Sequence, residues 1–105
     1  MSDIPGARTK TPIMTKHLRI AGRVQGVGYR AGFASKAQKL GLSGWVRNRL
    51  DGTVEALVQG SANELEAIIA WTRQGPGLAR VDQVLVDDVP DSAFESAGFK
   101  VLPTE

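Results

Sequence analysis

Cysteine is absent from the 105-residue chain, which removes disulfides, thiolate nucleophiles and cysteine-ligated metals together. Histidine occurs once, as His17. No acids at helical spacing accompany it, so no dedicated metal site is indicated, and its place early in a strand reads as a surface or edge position. Ser35, Ser43 and Ser61 have no neighbouring base, so a serine nucleophile has no support either. No apolar run approaches the roughly 20 residues of a membrane helix, and the N-terminus lacks the apolar core of a signal peptide. Together these absences predict a soluble, cytoplasmic protein without a bound metal or cofactor.

Acidic residues are scarce in the first half. Residues 1–50 hold ten Lys/Arg and a single acid, Asp3, whereas residues 51–105 hold three Lys/Arg and ten Asp/Glu, giving +9 and −7 within the overall +2. A basic half suits an anionic ligand steered to it. The alternative is that the halves interleave in space and the field is mixed. Asp82, Asp87, Asp88 and Asp91 read as a solvated acidic stretch.

The length suits one domain with one core. Residues 1–14 carry Pro, Thr and Gly without periodicity and read as a flexible N-terminal extension, leaving residues 15–105 as the domain. From Lys16 to Arg23 the chain alternates, with Leu18, Ile20 and Gly22 on one side and Arg19, Ala21 and Arg23 on the other, as in a strand with one buried face. Arg30 to Leu40 places Phe33, Ala34, Ala37 and Leu40 on a helical stripe ended by Gly41. Ser43 to Leu50 predicts a second strand, with Trp45 expected in the core. Asp51-Gly52 marks a tight hairpin, and Thr53 to Gln59 returns with Val54, Ala56 and Val58 on one face. Ser61-Ala62-Asn63-Glu64 has the form of a capping box. Leu65, Ile68, Ile69 and Thr72 then keep helical spacing until Gly75-Pro76-Gly77. Val81 to Val89 and a short segment from Ser96 to Leu102 supply the last strands. The order predicts an α+β fold, the ferredoxin-like split βαβ plait, an antiparallel sheet with two helices on one face.

Against this background Gly22-Arg23-Val24-Gln25-Gly26-Val27-Gly28-Tyr29-Arg30 stands out. Glycines let successive backbone N–H groups converge on one concavity. The helix N-terminus that follows adds free donors and a partial positive charge. Arg30 contributes a planar charged fork that matches two phosphate oxygens. The stretch therefore reads as an anion cradle formed by Val24, Gln25, Gly26, Val27, Gly28, Tyr29 and Arg30. A tight strand-to-helix turn with an ordinary surface arginine accounts for the same glycines. The spacing is neither that of a Walker A loop nor that of the dinucleotide fingerprint.

With no metal, covalent nucleophile or proton shuttle, such a cradle suits a substrate that is already reactive. Acyl phosphates qualify, because a departing carboxylate of low basicity needs no general acid. Catalysis then reduces to holding the phosphoryl group, neutralising its charge and placing water in line. Asn48, in Gly44-Trp45-Val46-Arg47-Asn48-Arg49, offers an amide able to orient that water without changing charge. A turn-flanking asparagine bonded to its own backbone is the competing reading. Arg47 and Arg49 read as solvated rim charges.

These two segments closely resemble the signatures of the acylphosphatases. Residues 22–30 look like that family's glycine loop and arginine. Gly41-Leu42-Ser43-Gly44-Trp45-Val46-Arg47-Asn48 with Asp51-Gly52-Thr53-Val54-Glu55 looks like its second motif. The eighteen-residue interval from Arg30 to Asn48 matches the family's catalytic pair, and the likeness runs over residues 16–102. The resemblance implies that Arg30 binds the substrate phosphate, Asn48 positions the attacking water and the backbone of residues 24–29 donates to phosphate. It also implies hydrolysis of acyl phosphates to a carboxylate and inorganic phosphate without metal or cofactor. Tyr29 departs from the phenylalanine common there, which leaves open whether it packs or makes a hydrogen bond at the rim. A monomer acting on a small molecule is expected, with no membrane or nucleic-acid partner; the first strand lacks the aromatics an RNA-binding sheet uses for stacking. The alternative is a non-catalytic phosphate or carbamoyl-phosphate binding module on the same fold.

Overall fold

Strand alternation and two capped helices build the observed architecture. The structure, a computed structural model, describes residues 13–90 and 97–105. In chain order the elements are β1 (Met14–Arg23), α1 (Tyr29–Leu40), β2 (Ser43–Asn48), β3 (Val54–Gly60), α2 (Ala62–Thr72), β4 (Arg80–Val89) and β5 (Phe99–Val101). The five strands form one sheet in the order β4-β1-β3-β2-β5, with both helices on one face. Strand β1 begins inside the extension expected over 1–14; the rest of that extension, residues 1–12, and Asp91 lie outside the described residues.

The four longer strands pair antiparallel, as the plait requires, but β5 pairs parallel with β2, Gly44 opposite Phe99 and Val46 opposite Val101. The sheet is therefore mixed rather than antiparallel throughout. Strand β5 sits at the edge opposite β4 and runs antiparallel to it, which fixes its direction beside β2. Pairing continues past β5: Leu102 N–H donates to Val46 O at 2.9 Å and Glu105 N–H to Asn48 O at 3.0 Å.

Period-two alternation fills the core from the sheet. Leu18, Ile20, Val46, Val54, Ala56 and Val58 are fully buried against Phe33, Ala34 and Ala37 of α1 and Leu65 and Ile68 of α2. Tyr29, Phe33, Trp71 and Phe99 form an aromatic chain across the helices, with Phe33 edge-on to Trp71 at 5.9 Å. The capping box at α2 forms as expected, Glu64 N–H donating to Ser61 Oγ at 3.3 Å and Ser61 N–H to Glu64 Oε1 at 2.9 Å.

Trp45 is not in the core. Val46 and Asn48 take the helix-facing side of β2, so strict alternation turns Trp45 and Arg47 to the other face, where the Arg47 guanidinium lies 4.8 Å from the indole ring centre. Nor are Arg47 and Arg49 merely solvated. Arg47 Nε donates to Glu55 Oε1 at 2.9 Å, Arg49 Nη1 approaches the same oxygen at 3.3 Å, and His17 Nε2 lies 2.6 Å from Glu55 Oε2. His17 is thus on a central strand and far from being an edge residue. Strand β1 runs between β3 and β4, so its Lys16, His17 and Arg19 face Glu55, Asp87 and Asp88 across the ladder; the basic and acidic halves interleave over the sheet.

Glu55 carries a pH signature. Burial alone would raise its carboxyl, but the hydrogen bonds and charges of His17 and Arg47 outweigh burial and hold it below the usual carboxylate range. A lowered folded value contributes stability that is fully present above the unfolded value, about 4.3, and is lost as pH falls through the folded one. Glu55→Gln is therefore expected to destabilise by about 1–3 kcal/mol at pH 7. Thermal unfolding of both proteins should show that gap narrowing below about pH 4; a gap independent of pH would contradict the assignment.

Candidate active site

The segment after β1 turns sharply because two glycines permit it. Gly26 and Gly28 have φ of +75° and +79°, and a side chain at either would project into open space. Gly28 is also the N-cap of α1. It supplies no side-chain cap, and the first helical turn contains no acid. The helix's first bond runs from Gly32 N–H to Gly28 O at 3.0 Å, which leaves the N–H groups of Tyr29, Arg30 and Ala31 without helical acceptors. The positive end of the helix dipole is thus uncompensated and open.

These groups border a hollow of about 260 Å³ lined by Val24, Gly26, Gly28, Tyr29, Arg30, Ala31, Asn48 and Val101. Arg30 is its one charged lining residue among the described residues. The Arg30 Nη1 donates to Leu102 O at 3.2 Å, and the side chain has no ion pair among the described residues. One contact to a neutral carbonyl orients the fork and leaves its charge and other donors available. Asn48, at the end of β2, reaches the same hollow, and its Oδ1 is buried with no hydrogen-bond partner among the described residues. A buried acceptor without a donor costs stability. Asn48 therefore does not bond its own backbone through Oδ1, as a turn-flanking asparagine would.

Of the expected cradle residues, Val24, Gly26, Gly28, Tyr29 and Arg30 line the hollow. The Val27 side chain packs against the core and the Gln25 side chain turns to the β2–β3 hairpin, so of these two residues only the backbone is a candidate for the cradle. Tyr29 is buried rather than placed at the rim; its hydroxyl donates to Thr72 O at 2.8 Å, and burial pushes its ionisation well above the usual range, so it stays neutral. No group of three or more His, Cys, Asp or Glu side chains among the described residues is placed to hold a metal ion.

A family model, Acylphosphatase, matches residues 16–101, nearly the whole described domain. The chain belongs to the acylphosphatase family. Among its acylphosphatase relatives, one from an Azoarcus species is 56% identical over 87 residues, covering 83% of this chain and 87% of that protein. Another, from Thermococcus kodakarensis, is 54% identical over 86 residues, covering 82% and 92%. An acylphosphatase structure from Coxiella burnetii superimposes with a TM-score of 0.81 at 30% identity, covering 86% of this chain and 93% of that one. The family match thus spans both the glycine loop and the hairpin that border the hollow.

Two features of this candidate site were missed by the sequence reading. The carbonyl of Leu102 that orients Arg30 is backbone, which any residue supplies. The side chain of Gln25 stands in a motif whose backbone drew the attention; a long polar amide between two glycines was the available hint.

Proposed function

We propose that this acylphosphatase-family chain hydrolyses acyl phosphates to a carboxylate and inorganic phosphate by direct attack of water on phosphorus. One observation carries the reading: Arg30, the glycine loop and Asn48 line one hollow, and the Asn48 Oδ1 has no hydrogen-bond partner among the described residues. The phosphoryl oxygens accept from the N–H groups around Gly28 and from the Arg30 fork, which stabilise charge as it spreads over the equatorial oxygens. The Asn48 amide, which both donates and accepts, holds a water and aims its lone pair at phosphorus. The new P–O bond forms as the bond to the acyl oxygen breaks, and the electron pair leaves on the carboxylate. Both protons of the water stay with the product, so an acyl phosphate dianion yields a carboxylate and dihydrogen phosphate. No protein group changes protonation.

The rest of the reading is coarser. Residues 15–105 act as the domain, supported by the family match over 16–101 and a strand that starts at Met14. A monomer in the cytoplasm acting on a small molecule is consistent with a described chain in which no helix is long and apolar enough to cross a membrane.

Release of phosphate from benzoyl phosphate in excess EDTA tests the reaction. Turnover is expected to be unchanged by chelation. Loss of activity restored by a divalent cation would contradict the mechanism, and phosphate binding without any hydrolysis would favour the non-catalytic module.

A further inference from the structure

The Gln25 side chain ends in a single amide nitrogen with two hydrogens, and both are used. Nε2 donates to Arg49 O at 2.8 Å and to Thr53 O at 2.9 Å. Those two residues close the neck of the β2–β3 hairpin, where Arg49 N–H also donates to Thr53 O at 2.8 Å. Arg49 directly follows Asn48. On the other side, Val24 and Gly26 flank Gln25 and line the hollow. Among the described residues this amide is the only hydrogen-bonded tie between residues 24–28 and residues 48–53.

We infer that Gln25 is a positioning residue: its amide sets the separation between the phosphate cradle and the water held by Asn48. The inference rests on the proposed reading of the site. Its physical basis is the softness of the loop. Gly26 and Gly28 each adopt a left-handed conformation that glycine also leaves easily, and a loop of this kind holds shape only where something anchors it; Val24 and Val27 anchor it on its core side, and Gln25 on the side of the hairpin. Arg30 is anchored through Leu102 and Asn48 through the sheet, so both sit on rigid elements. The cradle between them is fixed to the hairpin by Gln25. In-line attack tolerates little error in the water–phosphorus vector, and a displacement near 1 Å costs about a hundredfold. Binding of phosphate is more tolerant, because a loose loop still closes around an anion.

The test uses Gln25→Met, which keeps length and removes both donors, in the wild-type and Asn48→Ala backgrounds. Steady-state kinetics on benzoyl phosphate, inhibition by inorganic phosphate and thermal unfolding are measured on the same samples. Gln25→Met is expected to lower kcat about tenfold to a hundredfold, with KM and the phosphate inhibition constant changed less than about threefold. In the Asn48→Ala background it should cost less than about twofold, because no aimed water remains to be misplaced. Gln25→Lys, which returns N–H donors at similar reach, should recover most of the lost kcat. A merely structural brace predicts otherwise: loss of thermal stability, with the kcat penalty multiplying in full on top of Asn48→Ala. That multiplication, wild-type kcat in Gln25→Met, or failure of Gln25→Lys to recover turnover overturns the inference. Wild-type turnover in Asn48→Ala alone would overturn the site reading itself, in a protein where Gln25 is untouched.

Discussion

Arg30→Gln is expected to reduce kcat/KM for benzoyl phosphate by about 10³-fold or more. Removing one donor aimed at developing charge costs about 10²–10³ in rate. Here two donors and a full charge go together, since among the described residues the guanidinium is the only charged side chain lining the hollow. Glutamine keeps an N–H but is shorter, neutral and unable to grip two oxygens at once. The fold should survive, because Arg30 is half-buried and its one hydrogen bond, to Leu102 O at 3.2 Å, contributes about 1 kcal/mol or less. For a domain of this size that is a fall in Tm of roughly 5 °C. A collapse in Tm would assign the residue to stability; near-normal turnover would remove it from the site.

Asn48→Ala is expected to lower kcat by about 10²–10³-fold while affinity for inorganic phosphate is kept. In the proposed mechanism the two effects separate, with the water assigned to Asn48 and the anion to the loop with Arg30. Stability should change little or rise slightly, since the substitution removes a buried acceptor that has no donor and so breaks no intramolecular bond through it. That combination is unusual for a half-buried polar residue at the end of a strand. It is what a group held ready for a ligand predicts, and what a structural asparagine does not. Steady-state kinetics with thermal unfolding of the same preparation distinguishes them.

Much of this fold is written locally. The alternation of Leu18 and Ile20, the Asp51-Gly52 turn and the Ser61–Glu64 box each act through neighbouring residues, so short-range reading finds them. The strand pairing order follows, because two split βαβ halves bury one apolar face in few ways. What short-range reading misses depends on distant partners. Trp45 was expected in the core by its size, yet its parity with Arg47 puts it on the other face. Arg47 and Arg49 read as rim charges until β3 brings Glu55 between them and His17. The parallel pairing of β5 rests on three residues, Phe99–Val101, too few for periodicity to give a direction.

The candidate site divides the same way. The glycine loop, Arg30 and Asn48 were legible because residue type and spacing carry their chemistry. The Leu102 carbonyl and the Gln25 amide were not, since their roles exist only once residues far apart in sequence meet. The charge asymmetry between the two halves gave a weaker guide. Acidic strands neutralise β1, and what stays uncompensated at the hollow is local: one guanidinium and one uncapped helix end.

Binding of inorganic phosphate to wild type, Arg30→Gln and Asn48→Ala, followed by calorimetry on folded samples whose turnover is also known, addresses the division of labour at the centre of this mechanism. Wild type and Asn48→Ala should bind alike although only the former turns over, and Arg30→Gln should lose both properties. Equal phosphate affinity in all three proteins, or its loss in Asn48→Ala, would contradict it.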